Sequence, residues 1–368
     1  MRKRRLLALN ACVLILALTA LSIPPRANVA AEKLLQDTSQ LDGYQIYFSE
    51  SLGEASRFDR SAKGLSRLAG LVDLLGAELY TLEWRTGIPA DADLLVIAGP
   101  ANDLSADQVA WLWAYLQNGG RLLLLADPPP TKALPAASGL FQLMWDDMGL
   151  RGRNDVVATE GELRPVVPPP AKAAADQPTP TPLPPVEIPA LVMDFTTTTI
   201  NTFHPIATGL EGELAFFGAR SLEVDAAPRE SQVTPVVYTD SVFYGESDIA
   251  TYQQFQYVEY NIDKDTTRGM LTLVAAMENI ATGTRIVLIG DRDFATNGGG
   301  FETSPPYSGA FLHPGNVRFI LNAIAWLVDA EPVAGEVSFP EPGPTATPTL
   351  IPTPTPTPLP SPTPTAGQ

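Results

Sequence analysis

Apolar residues along the chain form two alternating kinds of segment, which predict strands and helices in turn. Short runs rich in aliphatic or aromatic residues are typical of strands, and those that are continuously aliphatic are typical of strands buried on both faces. These runs occupy residues 44–48, 79–84, 93–100, 121–126 and 284–289. Helical patterns and turns separate the runs, so their order predicts mostly parallel strands joined by right-handed crossovers.

Helices are predicted where apolar residues recur every three or four positions. Residues 62–75 and 316–327 both show this spacing, which would place their leucine, isoleucine and valine side chains on one face. A further helix is predicted to follow Ser105, because Gln108 stands where a capping box requires it. This helix would end at the paired glycines Gly119 and Gly120, which are typical of a helix terminus.

The pattern changes after residue 150. Residues 155–159, 214–217 and 235–244 predict strands with no helix between them. Residues 269–278 are apolar and fit either a strand or a helix. We therefore predict an α/β fold built on a mostly parallel open sheet, with a β-rich later part.

Two proline-rich segments divide the chain. Residues 164–189 contain three successive prolines and a Thr-Pro repeat, and residues 336–368 repeat Thr-Pro many times. Such composition favours extended polyproline II and cannot build a core. We predict one extracytoplasmic domain over residues 36–335, with 164–189 as a surface insertion and 336–368 as a disordered tail.

The chain is strongly acidic, with a formal net charge of -17 and a pI near 4.5. An acidic surface repels the phosphate backbone, so nucleic acid is not expected as a partner. Four of the chain's 24 lysine and arginine residues form an uninterrupted cluster at positions 2–5.

A membrane segment is predicted directly after these basic residues. The run that starts at Leu6 and ends at Ile23 contains no charged residue. Together with the basic residues it makes residues 1–31 either a membrane anchor or a signal peptide, and the length of the run favours an anchor. The positive-inside rule then keeps residues 2–5 in the cytoplasm and predicts that the bulk of the chain is extracytoplasmic.

The sequence offers little for covalent catalysis. Cys12 is the only cysteine, and it lies within the apolar run, so the exported part has neither a thiol nucleophile nor a disulfide. His204 and His313 each precede a proline. His204 could serve as a base or a ligand, but a hydrogen bond within the local turn is the favoured interpretation, because two isolated histidines cannot form a zinc site without carboxylates at matching spacing. No cofactor is predicted.

Acidic side chains at predicted strand ends are the best candidates for a binding site. Asp127 follows residues 121–126, and Asp291 and Asp293 follow residues 284–289. Ligands of open α/β sheets bind at the carboxyl ends of strands, so these carboxylates could hold a ligand or a hard cation. The favoured interpretation is nevertheless a structural role, in which they accept hydrogen bonds from loop amides. Asn316 completes the candidate set, although a helix N-cap is its simplest role.

Six ordered segments resemble those of a known family. They cover residues 92–100, 117–124, 203–210, 268–273, 289–294 and 316–327. The resemblance is to the extracytoplasmic domain of the GldG-like family, an auxiliary component of ABC transporters, and to related domain families that include DUF4350. It implies a sheet of the flavodoxin-like or class I glutamine amidotransferase-like type, and it supplies no catalytic residues.

The sequence and this resemblance together predict a membrane-anchored extracytoplasmic protein that binds rather than catalyses. The resemblance implies an auxiliary role in an ABC-type transport or surface-assembly system, with an ABC permease or another envelope protein as partner. One alternative is a metal-dependent hydrolase or amidotransferase-like enzyme that uses Asp127, Asp291 and Asp293. A second alternative is a cell-surface spacer protein.

Overall fold

The structure is a computed structural model that describes residues 40–129, 133–168, 184–225, 231–306 and 308–333. The predicted membrane segment, residues 6–23, lies outside these ranges. Within them, no helix combines the length and the apolar character that crossing a membrane requires.

The strands and helices alternate in the first half of the chain and become strand-rich in the second half. The strands are β1 (Gln45–Ser49), β2 (Glu78–Leu82), β3 (Leu94–Ala98), β4 (Arg121–Leu125), β5 (Leu150–Gly152), β6 (Val156–Val166), β7 (Val186–Val192), β8 (Asp194–Thr197), β9 (Leu214–Phe217), β10 (Leu222–Val224), β11 (Ser231–Tyr238), β12 (Tyr244–Glu246), β13 (Thr272–Asn279) and β14 (Thr284–Ile289). The α-helices are α1 (Ser66–Leu74), α2 (Ala106–Gln117), α3 (Gly139–Met148), α4 (Ile249–Phe255) and α5 (Pro314–Leu327).

A seven-stranded sheet forms the centre of the described part of the chain, in the order β11-β13-β14-β4-β3-β1-β2. The strands from β14 to β2 are parallel, whereas β13 runs antiparallel to both β14 and β11. The predicted mostly parallel α/β sheet is therefore confirmed. Its parallel strands end at one common edge, and that edge positions the site described below.

Helices cover both faces of the central sheet, which explains why its strands are apolar throughout. Alternate residues of β4 face opposite layers: Leu123 packs with residues of α1 and α5, and Leu124 packs with residues of α2 and α3. All four leucines of β4 are fully buried. A strand covered on both faces needs a continuous apolar run, and the sequence supplies it.

Several predicted boundaries and elements are wrong. The first helix begins at Ser66 rather than at residue 62. Residues 269–278, for which the sequence leaves strand and helix open, contain most of a strand, β13. The strand predicted at 235–244 is two strands, β11 and β12, separated by a turn. The helix α4 interrupts the later part of the chain, where no helix was predicted.

The proline-rich insertion predicted at residues 164–189 begins and ends inside paired strands. The strand β6 continues to Val166, and β7 starts at Val186, which pairs with Val166 in antiparallel register. Val166 and Ile188 are buried in this pair. The two ends of the segment thus belong to the folded domain, and residues 169–183 lie outside the described ranges.

Candidate functional site

A cleft of about 480 Å³ opens at the carboxyl edge of the parallel strands. Strand β3 leads into this edge at Gly99, β4 at Asp127, and β14 at Asp291. The opposite wall comes from β6, β9 and α4. The cleft is lined by Gly53, Lys63, Ala101, Asp127, Pro128, Pro129, Val156, Met193, Phe217, Gly218, Ile249, Tyr252, Gln253, Arg292 and Asp293.

Arg292 joins two of the predicted carboxylates. Its Nη1 lies 3.1 Å from Asp127 Oδ2, and its Nη2 lies 3.2 Å from Asp293 Oδ1. The backbone N–H of Arg292 also donates to Asp127 Oδ1 at 3.1 Å. The side chains of Asp127 and Asp293 are 16% and 40% exposed. The pair with Asp127 is therefore the better shielded one, and charge-assisted hydrogen bonds of this kind are the strong ones.

Gly99 makes room for the Arg292 side chain. The residue has φ +67°, a left-handed conformation that glycine adopts without strain. A Cβ built at Gly99 would overlap the Cδ of Arg292. The glycine that ends β3 is thus required both for the turn of the backbone and for the position of the guanidinium.

The carboxylate of Asp291 is buried and bonded to backbone groups, whereas Asp127 and Asp293 line the cleft. It is 1% exposed, and its carboxylate accepts hydrogen bonds from the backbone N–H of Phe217 at 2.7 Å and of Asp293 at 2.8 Å. Burial raises the pKa of Asp291 well above its usual value, and the carboxylates of Asp293 and Asp127 add to this rise. Burial also raises the pKa of Asp127, and the Arg292 guanidinium opposes that shift.

Arg220 supports the cleft from within the protein. It is fully buried, and its guanidinium donates to the backbone carbonyls of Asp127 at 3.0 Å, Leu134 at 2.8 Å and Arg153 at 2.7 Å. The ring of Phe141 lies 4.9 Å from its Cζ. Burial lowers the pKa of Arg220 to about 10, so the side chain stays charged at neutral pH. The buried cation fixes the loop that follows β4 and thereby the position of Asp127.

The arrangement is suited to holding a polar ligand or a polar segment of a partner. It presents one fixed cation between two carboxylates, together with the Lys63 amino group, the Gln253 amide and the Tyr252 ring. None of the described lining residues is a serine, threonine, cysteine or histidine. Nor does any group of three or more histidine, cysteine, aspartate or glutamate side chains in the described ranges have a metal-binding arrangement.

A family profile described as "ABC-type uncharacterized transport system" matches residues 45–323. The match covers the central sheet and the cleft. The chain belongs to this family. It is therefore an auxiliary component of an ABC-type transport system, as the ordered segments of the sequence predict. No curated protein shows significant similarity to the chain.

Several solved structures align with most of this chain at low sequence identity. The N-terminal domain of mmIFT52 aligns with a TM-score of 0.45 and 14% identity, over 77% of this chain and 96% of that domain. A cytoplasmic protein from Salmonella typhimurium aligns with a TM-score of 0.40 and 11% identity, over 78% and 99% of the two chains. A ThuA-like protein from Bacteroides uniformis gives 0.36 and 9%, over 78% and 91%. At these TM-scores and identities, no function can be transferred from those proteins to this chain.

Asn316 does not cap the last helix, which corrects the prediction from sequence. Helix α5 begins at Pro314, so Asn316 lies inside its first turn and is fully buried. Its side-chain amide accepts from the backbone N–H of Ala215 and donates to the carbonyl of Ala215, both at 2.8 Å. A further bond reaches the carbonyl of Phe294 at 3.2 Å. Asn316 thus joins α5 to β9 below the cleft and does not line it.

The two histidines lie in different places. His204 accepts from the backbone N–H of Ile206 at 3.3 Å, the local turn bond that the sequence favours, and burial lowers the pKa of its ring to about 4. It packs on Trp326 near Arg285, at the amino end of β14 and away from the cleft. His313 packs edge-on against Phe217, a lining residue, at 5.4 Å between ring centroids.

Some residues of the cleft were missed by reasoning from the sequence. Arg292 stands between two candidate aspartates, and this Gly-Asp-Arg-Asp run was its available signal. Tyr252 and Gln253 belong to α4, a helix of seven residues. The only clear sequence signal for this helix is Asp248 at its N-cap. Arg220 has no local signal, because its partners are backbone carbonyls that are distant in sequence.

Proposed function

We propose that this chain is a non-enzymatic binding component of its ABC-type transport or surface-assembly system, and that the cleft is its binding site. The observation that carries the proposal is the position of Arg292. Its guanidinium is held between Asp127 and Asp293 at the edge of the sheet, where ligands of open α/β folds bind. A cation fixed in this way supports recognition, because its geometry is set before the partner arrives.

The proposed location is the outer side of the cytoplasmic membrane, with the amino-terminal run as an anchor. Support comes from the basic residues at positions 2–5 and the uncharged run at 6–23. The proposed partner is the ABC permease or another envelope protein of the same system. Protease added to intact spheroplasts should digest the domain, and protection of the domain would contradict this location.

The proposed partnership can be tested by purifying the tagged full-length chain from solubilised membranes. We expect the permease or the ATPase of an ABC transporter to copurify. The variant Gln253→Trp places a bulky ring at an exposed position of the cleft and should reduce the yield of the transport subunit. The variant Ile280→Trp, at the opposite edge between β13 and β14, should leave it unchanged. Equal yields from both variants, or no transport subunit at all, would contradict the proposal.

A further inference from the structure

A second concave surface lies beside β2, the outer strand of the central sheet. This arginine groove has a volume of about 620 Å³ and runs between β2, α1 and the loop that precedes α1. Its walls include Arg57, Phe58, Arg60, Arg67 and Leu79, and the carboxylate of Asp73 is its acidic member. Three cations against one anion make the groove cationic, on a chain whose net charge is -17.

Two arginines of the groove, Arg57 and Arg60, form no ion pair in the described part of the chain. Arg67 donates to the backbone carbonyl of Phe301 at 2.7 Å, which holds its side chain against the loop that precedes α5. Arg57 lies 4.1 Å from the ring centroid of Phe58, and its Nε donates to Thr81 Oγ1 at 3.4 Å. Arg60 is exposed and forms no ion pair within the described ranges. The positive potential is therefore available to an anionic partner.

The edge of β2 that borders the groove has backbone groups available for pairing. The N–H of Glu78 donates to the carbonyl of Tyr44 at 2.9 Å, so Glu78 and its alternate neighbours face β1. By alternation, the N–H and C=O groups of Leu79 and Thr81 point outward. Leu79 also lines the groove. An extended segment lying in the groove would thus meet unpaired backbone donors and acceptors.

The edge of β11, the other outer strand of the sheet, is covered by another segment of the chain, whereas no described segment covers the edge of β2. Strand β11 contains Pro235, and residues 199–201 cover its edge through bonds from Asn201 to Val236 and from Tyr238 to Thr199. Strand β2 contains no proline, and no described segment pairs with its outer edge. Proteins usually block or cover an exposed edge because it invites pairing with another chain.

We propose that the arginine groove and the edge of β2 bind an extended acidic segment of a partner protein by strand addition. Backbone bonds to Leu79 and Thr81 would supply affinity, and carboxylates of the segment would reach Arg57 and Arg60. Arginine suits this role because its planar guanidinium can bind a carboxylate with two parallel bonds. The surface is separate from the cleft, so the inference does not depend on the function proposed for the cleft.

The test measures binding of a fluorescent peptide of alternating glutamate and valine to the full-length chain by anisotropy. We expect saturable binding that weakens as salt is added. The double variant Arg57→Gln and Arg60→Gln should weaken it by about tenfold or more, whereas Arg85→Gln, an exposed arginine outside the groove, should not. A lysine–valine peptide of equal length should not bind.

Strand addition is tested without altering the protein. The same acidic peptide with alternate backbone amides methylated keeps its charge but cannot form the ladder, and it should bind at least about tenfold more weakly. Equal binding of the methylated peptide, or equal binding by the double variant, would overturn the proposal. Binding of the protein to anionic lipid vesicles through these arginines, with no peptide binding, would also overturn it.

Discussion

The guanidinium of Arg292 lies 3.1 Å from the carboxylate of Asp127, although the two residues are 165 positions apart in the chain. The backbone N–H of Arg292 contacts the same carboxylate. This double attachment ties the end of β14 to the end of β4 and sets the shape of the cleft.

The first prediction follows from this attachment. Replacement of Arg292 by glutamine should lower the free energy of unfolding by about 1–3 kcal/mol, because it removes hydrogen bonds to shielded charged groups. Arg85→Gln removes an exposed arginine, 83% accessible, from its pair with Glu83 and should change stability by less than about 0.5 kcal/mol. Urea unfolding of both variants makes the comparison. Equal effects would show that the attachment contributes nothing beyond a surface ion pair.

The fold was predictable where a local pattern is sufficient. The apolar run of β14 and the helical spacing of α5 both identify their elements, because each is buried against neighbours on nearly every side. Strand β7 was missed, since Pro189 and the surrounding composition indicate a spacer. Its identity depends on pairing with β6 across residues that the local sequence does not relate to it.

The site was predictable only in part, for a similar reason. The rule that parallel strands end at one edge correctly brings Asp127 close to Asp293 through Arg292. The role of Asn316 could not be predicted, since its partner Ala215 is 101 positions away and an N-cap is the local preference. Long-range contacts of polar side chains with backbone groups leave no periodic signal.

The second prediction concerns the buried carboxylate of Asp291. The variant Asp291→Ala leaves the backbone N–H groups of Phe217 and Asp293 without their acceptor, which should cost about 2 kcal/mol. Asp293→Ala removes a carboxylate that is 40% exposed and should cost less, about 1 kcal/mol. Denaturant unfolding of the two variants tests the order. A larger effect at Asp293 would contradict the structural role of Asp291.

The third prediction is a pH dependence that originates at Glu246. This side chain is 1% exposed, and burial, the largest cause, raises its pKa from 4.5 to about 7. Between these values the folded chain keeps a proton that the unfolded chain has released. The contribution of Glu246 to stability should therefore fall as the pH rises from about 4.5 through 7, whereas buried His204, whose pKa is lowered to about 4, contributes in the opposite direction.

The variant Glu246→Gln should remove this contribution, because glutamine does not titrate, so its stability should rise relative to that of the parent chain as the pH increases through this range. Asp127 and Asp291, whose pKa values are also raised, and His204 titrate in both chains, so their contributions cancel in this comparison. Glu162→Gln, at an exposed position, serves as the control and should behave as the parent chain does. Urea midpoints measured across this pH range test the prediction, and an unchanged slope in Glu246→Gln would refute it.

The fourth prediction separates the paired ends of the proline-rich segment from its middle. Deletion of residues 164–189 removes the buried side chains of Val166 and Ile188 and should cost about 3 kcal/mol. Replacement of residues 169–183 alone by a glycine–serine linker of equal length should change stability by less than about 0.5 kcal/mol. Thermal unfolding of both chains provides the measurement. A silent 164–189 deletion would show that the β6–β7 pair does not stabilise the domain.

The most direct test of the central claim is photocrosslinking in living cells from a benzophenone amino acid placed at Gln253. This position lies in the cleft, and Ile280, at the opposite edge of the sheet, is the matched control. If the cleft binds a component of the transport system, Gln253 should yield an adduct with an ABC permease or ATPase subunit, and Ile280 should not. Equal adducts from both positions, or none to a transport subunit from Gln253, would contradict the account.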